Sequence, residues 1–319
     1  MSSNDNDPQV DASQAPETLT VALWATNLAR PLNGIEAWAQ MVDMKMGEAR
    51  ARGADLLVMP EYCAEQWLSF APDLPATGEI AWMADQAPQA LDAIGGLARK
   101  HGMALLAGTM PVHAETPEPG RPPYLNRAHL FLPDGRMIKQ DKLVLTPGER
   151  NPQAWDLSTG NQLAITNWRG LRVATAICLD VEMPALIAKL GPEELDLVMV
   201  PSMTEKLSGH SRVFGCAKAR AVELQAAVLA VGSIGAGETR KGRETTTGAA
   251  AVYLPCEEPL GMTGVAGWLP PRDFDDGPGP MLVAEVPVAA IRALRNGAAE
   301  VWPGAWSAEH VEIVGDSNA

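Results

Sequence analysis

The sequence predicts an α/β protein with mixed sheets and helices on the outside. Three observations predict it. Apolar runs of strand length alternate with helical stretches through residues 19–112. HLFLPDGRMIKQDKL (129–143) places two alternating runs about a Pro-Asp-Gly turn, the signature of a β-hairpin. DLLVMP (55–60) is a short apolar run stopped by proline, as expected of a parallel strand buried on both faces.

Taken in order, LTVALWATN (19–27) is the first predicted strand. In residues 33–52, Ile35, Trp38, Met41, Val42, Met46 and Ala49 share one face, which predicts a helix with Asn33 as N-cap and Gly53 as its stop. After DLLVMP, a helix is expected over about 86–100, then a strand at MALLAGTMPV (103–112). ETPEPGRPPY (115–124) is a proline-rich loop, and TPGERNPQAW (146–155) a second loop. QLAITNWRGLRVATAICLD (162–180) reads as two strands about Arg169-Gly170, with Cys178 ending the second. VEMPALIAKLG (181–191) is a short helix. DLVMVPSM (196–203) repeats the order of DLLVMPEY (55–62), an eight-residue internal echo. A helix over 210–225 and strands at AVLAVGSIG, GAAAVYLP and MLVAEVPV complete the core, and VAAIRALRN ends it. GWLPPRDFDDGPGP (267–280) reads as an inserted surface loop.

No shift of composition marks a second domain. The expected organisation is a disordered tail over 1–18, one domain over 19–298, and a C-terminal tail over 299–319. The tail's apolar VWPGAW is a candidate for docking on the body or on a partner subunit.

The composition bounds the function. Of 319 residues, 46% are hydrophobic and 20% charged, enough for a sizeable core. A net charge of −14 argues against a nucleic-acid partner, which needs a basic surface. No apolar run is long enough to span a membrane, so no membrane partner is expected. The polar N-terminus lacks the apolar core of a secretory signal, which leads to a cytoplasmic expectation. Cys63, Cys178, Cys216 and Cys256 form no CxxC pair and no zinc-binding pattern, so reduced thiols and no metal are expected.

Three strand ends carry reactive groups: Glu61 in VMPEY, Lys142 in KQDKLVL and Cys178 in ATAICLD. Singly each has an ordinary reading: a loop carboxylate, an exposed ion pair beside Asp141, a packed thiol. Together they supply what a cysteine-nucleophile hydrolase needs. A thiol requires a base to ionise it, and burial at a strand end would raise Glu61 into the range where it takes and returns a proton. Lys142 would hold positive charge near the sulfur and the developing oxyanion, with the Leu179 N–H as a second oxyanion donor.

The same residues resemble the carbon–nitrogen hydrolase (nitrilase) superfamily, amidase-like branch. LLVMPEY resembles its apolar strand ending in Pro-Glu-aromatic, DKLVLTPGER its lysine segment, and ICLDVEMP its Cys-x-Asp segment before proline. VMVPSM followed by KARAVELQAAVLAV resembles a further shared strand and helix. The resemblance covers about residues 19–290. It implies a four-layer αββα sandwich pairing into a homodimer or higher homo-oligomer. It implies Cys178 as nucleophile, Glu61 as base and Lys142 as oxyanion stabiliser. Glu149 would position substrate and lysine, and Tyr62 and Leu179 would flank the pocket. The expected reaction is hydrolysis of a small amide or N-carbamoyl compound through a thioester, with no cofactor.

The sequence departs from the family at Leu179 and Met183, where many members carry aromatics, and at Leu224, where asparagine is usual. Three alternatives stay open: a nitrilase, a non-catalytic scaffold, and acyl transfer to an amine. Trp67, Trp82 and Trp155 are candidate pocket walls beside their ordinary role in packing. His210 and Arg212 are candidates to reach the site from the loop after Ser202. Cys63 reads as a packed thiol, and Cys216 as a core residue.

Overall fold

The computed structural model describes residues 15–235, 245–300 and 306–315. Most of the expected N-terminal tail and the start of VWPGAW lie outside the described residues. The first half runs β1 (Leu19–Trp24), α1 (Ile35–Ala51), β2 (Leu56–Val58), α2 (Ala76–Ile94), α3 (Leu97–His101), β3 (Ala104–His113), β4 (Tyr124–Phe131) and β5 (Met137–Asp141). The second runs β6 (Ile165–Trp168), β7 (Leu171–Thr175), α4 (Pro184–Ala188), β8 (Leu197–Ser202), α5 (Leu207–Leu224), β9 (Ala227–Gly232), β10 (Gly248–Tyr253) and β11 (Val265–Arg272). β12 (Met281–Val286) and α6 (Val288–Ala293) close the chain's core.

The strands form two six-stranded sheets, β12-β1-β2-β3-β4-β5 and β11-β10-β9-β8-β7-β6. Each has three parallel strands at its heart, β1-β2-β3 and β7-β8-β9, flanked by antiparallel ones. Read from opposite ends, the two sheets have the same order and sense. The echo between DLLVMPEY and DLVMVPSM has its structural counterpart here: β2 and β8 are the middle strands of the two parallel triplets.

Side-chain alternation divides the layers. Val21, Leu23, Leu56, Val58 and Leu106 belong to the core shared with the second sheet. Ala22, Trp24, Leu57 and Leu105 pack instead with Trp38, Val42 and Met46 of α1 and with Ile80 and Met83 of α2. On the far side, Val213, Phe214, Ala217 and Ala221 of α5 cover the second sheet. The result is the expected sandwich of helices, sheet, sheet and helices. Burial on both faces is why the central strands read as continuous apolar runs rather than alternating ones.

Several elements differ from their expected form. The predicted helix over 86–100 begins at Ala76, encloses Pro88 and breaks at Gly95-Gly96. Proline suits a helix start, but Ile80, Met83, Ala84 and Ala87 are buried and recruit the earlier turns. Asn33 does not cap α1: Gly34 occupies the cap position, with no side-chain cap bond. VEMPALIAKLG begins inside a 3₁₀ turn, Cys178–Glu182, before the short α4. GWLPPRDFDDGPGP is only partly a loop, because β11 runs through Arg272 and pairs antiparallel with β10. Pro270 and Pro271 are tolerated there because β11 is an edge strand. The remainder is tied to the first sheet, where Trp24 Nε1 donates to Pro278 O (2.9 Å) and Asn27 Nδ2 to Asp275 O (2.7 Å).

Candidate active site

Glu61, Lys142 and Cys178 come from different strand ends and meet between the sheets. Glu61 lies past β2, after Pro60, and is buried. The next residue, Tyr62, is held in left-handed backbone (φ 48°). That turn is supported by β3, whose Thr109 Oγ1 accepts the Tyr62 N–H at 2.8 Å. β3 itself bulges at this point, between Leu106 and Thr109, with Gly108 at φ 64°. Lys142 follows β5 directly, its N–H donating to Asn126 O of β4 at 2.9 Å. Cys178 lies three residues beyond the end of β7, in a 3₁₀ turn, also in left-handed backbone (φ 49°). An L-residue held there is strained, and such strain concentrates where a side chain must be presented rather than packed.

Lys142 Nζ donates to Glu61 Oε1 (2.7 Å) and to Glu149 Oε1 and Oε2 (2.7 and 2.8 Å). Glu149 is further held by the Tyr62 hydroxyl (2.7 Å) and the Thr146 N–H (2.8 Å). Glu61 Oε2 accepts the Met203 N–H at 2.9 Å. The Met203 carbonyl is in turn 3.8 Å from Cys178 Sγ. So two carboxylates, one ammonium and one thiol share a buried space.

Burial and sign separate their protonation. Burial pushes Glu61 up to about 7, opposed by Lys142 and reinforced by Glu149. Glu149 is pushed up by burial too, but Lys142 outweighs it and holds this carboxyl below its ordinary value. Lys142 is penalised by burial, yet Glu61 and Glu149 together raise it above an ordinary lysine. Cys178 is raised well above a free thiol, by burial first and the Glu61 charge second. The arrangement gives one carboxylate poised to exchange a proton near neutrality, one fixed as an anion, and a thiol that stays protonated until a base takes its proton.

These groups line a cavity of about 710 Å³ together with Tyr62, Trp155, Leu179, Glu182, Arg212 and Val213 among others. Of the residues singled out in the sequence, Tyr62, Leu179, Glu149 and Trp155 line this cavity. Trp67 and Trp82 do not: Trp67 packs against Trp38 and Trp82 against Phe70, in the helical layer. Arg212 reaches the cavity and pairs with Glu182 at 3.2 Å. His210 is buried against Phe214 instead. Cys63 is a packed thiol, its Sγ 3.1 Å from Ala107 O, and burial pushes it up to about 12. Cys216 is only partly buried, packed against the core.

Sequence reasoning missed three supports. Asp180 ties the thiol turn to the lysine loop, accepting the N–H groups of Ile177 (3.1 Å), Leu143 (3.1 Å) and Val144 (2.8 Å). Asn126 Nδ2 donates to Glu61 Oε1 at 3.0 Å. Met203 contributes only its peptide group. Asp180 stands inside the quoted ICLDVEMP and had a visible signal, a carboxylate in an apolar segment; Asn126 and Met203 had none. Among the described residues no cluster of His, Cys, Asp and Glu could hold a metal ion, and no helix is long and apolar enough to cross a membrane.

The chain is similar to several known proteins. The chain resembles the "Probable hydrolase YhcX" of Bacillus subtilis (strain 168), 26% identical over 238 residues, which are 75% of this chain and 45% of that protein. The match thus spans about half the length of that relative. It also resembles an "(R)-stereoselective amidase" of Pseudomonas sp., 28% identical over 216 residues and 67% of each chain. Among solved structures, an amidase from Nesterenkonia sp. has the same fold, with a TM-score of 0.63 and 23% identity over 87% of this chain and 94% of that one. Residues 13–258 match the model of the carbon-nitrogen hydrolases, and the chain belongs to that family.

Proposed function

We propose that the protein hydrolyses the C–N bond of a small amide or N-carbamoyl compound through a thioester on Cys178. The observation that carries this reading is the buried Glu61–Lys142–Glu149 chain lining one cavity together with the Cys178 thiol. Glu61 takes the Cys178 proton as sulfur attacks the substrate carbonyl carbon. Lys142 and the Leu179 N–H stabilise the oxyanion. Glu61 returns the proton to the departing nitrogen, then activates the water that attacks the thioester. Glu149 keeps Lys142 charged and aimed, and is itself aimed by Tyr62. Tyr62, Trp155 and Leu179 form the walls against which the acyl group packs.

The relatives support this reading. A glutamate-to-glutamine mutant of the Nesterenkonia amidase shows covalent addition of the acetamide moiety of fluoroacetamide at the active-site cysteine, a precedent for a nucleophilic thiol. The test is ammonia release from a panel of amides, ureido acids and nitriles. Release from amides or ureido acids, lost in Cys178→Ala, is the expected outcome. Release unchanged in Cys178→Ala would overturn the thiol mechanism, and release from nitriles alone would overturn the substrate class.

A further inference from the structure

The two oxygens of the Glu61 carboxylate are not equivalent. Oε1 accepts two hydrogen bonds, from Lys142 Nζ at 2.7 Å and Asn126 Nδ2 at 3.0 Å. Oε2 accepts one, from the Met203 N–H at 2.9 Å. A carboxylate oxygen offers about two lone-pair sites, so Oε1 is filled and Oε2 keeps one open. Met203 borders both groups: its N–H donates to Oε2, and its C=O, part of the following peptide, lies 3.8 Å from Cys178 Sγ.

Asn126 is what fills Oε1 beyond the lysine. It lies on β4, fully buried, and its own carbonyl accepts the Lys142 N–H at 2.9 Å. Its Oδ1 has no hydrogen-bond partner among the described residues. Leaving a buried acceptor unpaired is destabilising, so this amide is a poor choice for stability alone. Its one engaged side-chain atom is the Nδ2 facing the Glu61 carboxylate.

We propose that Asn126 is a positioning residue: by filling the second site on Glu61 Oε1 it leaves Oε2 as the oxygen that takes the Cys178 proton and returns it. This rests on the reading of Glu61 as the base. The Cys178 S–H bond breaks, its electron pair stays on sulfur to form the C–S bond, and the proton passes to Oε2. The same proton then leaves Oε2 for the departing nitrogen. The charged or titratable groups facing Glu61 are Lys142 from the loop after β5, Glu149 beyond it, and Cys178 after β7, with Tyr62 alongside. Lys142 favours the carboxylate while burial and Glu149 oppose it, so a donated hydrogen bond from Asn126 adds to the lysine's side.

The experiment compares wild type with Asn126→Ala and Asn126→Asp. A hydrogen bond to a charged group is strong enough to move that group's titration by about one to two pH units. Accordingly the acid limb of kcat/KM is expected to move up by about one unit in Asn126→Ala and further in Asn126→Asp, with kcat about ten-fold lower and KM little changed. Leucine is close to asparagine in volume and brings neither a donor nor a charge, so a merely space-filling role predicts a wild-type limb for Asn126→Leu, and that result would overturn the proposal. Should Asn126→Asp fail to fold, Asn126→Leu, which also lacks a donor, is expected to show the same upward shift. The second readout needs no substrate: the pH dependence of iodoacetamide labelling at Cys178, resolved by peptide mass. An upward shift in labelling without hydrolysis by wild type would sustain Asn126's role while overturning the hydrolase reading. An unshifted labelling limb in every folded variant would overturn Asn126's role whatever the hydrolysis assay shows.

Discussion

At the scale of single residues, the site is built from groups whose burial sets their chemistry. Glu61 and Glu149 both touch Lys142, yet the former is raised to about 7 and the latter lowered. The difference is that burial of Glu61 is reinforced by the Glu149 charge, whereas burial of Glu149 is outweighed by Lys142, with the Tyr62 hydroxyl and the Thr146 N–H adding to the lysine's side. Asp180 adds a third buried carboxyl, which burial raises from 3.8 to about 6 despite the charge of Lys142 and three backbone donors. Between those two values the folded protein retains a proton that the unfolded chain has released. Its contribution to stability is therefore full below about pH 4 and is lost as pH rises through about 6. Asp180→Asn is neutral throughout and removes that dependence. The variant is expected to be more costly at pH 4 than at pH 7, the gap being roughly 3 kcal/mol. Urea denaturation at the two pH values measures it, and an equal cost at both would refute the raised value.

At the scale of elements, the decisive pieces are the turns after the strands rather than the strands. β2 is only three residues long, and the turn after it must carry Glu61 and a left-handed Tyr62. Gly108 makes that possible. It sits at the β3 bulge with φ 64°, and a Cβ there would overlap the Pro60 carbonyl oxygen and crowd Cys63 Sγ. Gly108→Ala is expected to cost about 2–4 kcal/mol, from the left-handed backbone and the overlap together. It also displaces Glu61, so kcat falls in the fraction that still folds. Thermal melting with kcat measured well below the transition separates the two effects; a variant of wild-type stability and rate would contradict the packing. The hairpin around Pro133-Asp134-Gly135 was legible in the sequence because turn chemistry is local. The start of α2 and the β11 edge strand were not, because α2's early turns and β11's pairing depend on surfaces that other segments provide.

At the scale of the whole molecule, two copies of one strand pattern face each other, and their middle strands deliver opposite sides of the site. β2 leads to Glu61 and β8 to Met203, which are hydrogen-bonded across 142 positions of sequence. Far from that site, Asp196 binds the last helical segment to the start of β8. Its carboxylate accepts Arg292 at 2.6 Å, Arg295 at 2.6 Å and the Arg172 N–H at 2.9 Å. Burial raises its pKa, but the arginines and backbone donor outweigh it and hold the group below its ordinary value. The stabilisation is thus present above about pH 4 and lost as pH falls. Asp196→Ala strands a buried Arg295 and is expected to lower stability by about 3 kcal/mol near neutrality, less in acid, with the rate of amide hydrolysis unchanged. Denaturation at pH 7 and pH 3 beside a kcat measurement checks this, and a loss of rate in the folded variant would contradict it.

The sequence by itself determined the α/β class, the hairpin, and the residues with reactive chemistry. These are properties of local pattern: apolar periodicity, turn residues, and a carboxylate, an ammonium and a thiol each following an apolar run. It also marked the likeness between β2 and β8, though not that the likeness extends to both sheets. Only the tertiary structure decided which groups face one another and how each is charged. Glu61 is raised to about 7, Glu149 is held low and Asn126 is a donor because burial and neighbours at long sequence separation set those states. No local pattern carries that information, since a proton's affinity depends on the field of every group the fold brings near it.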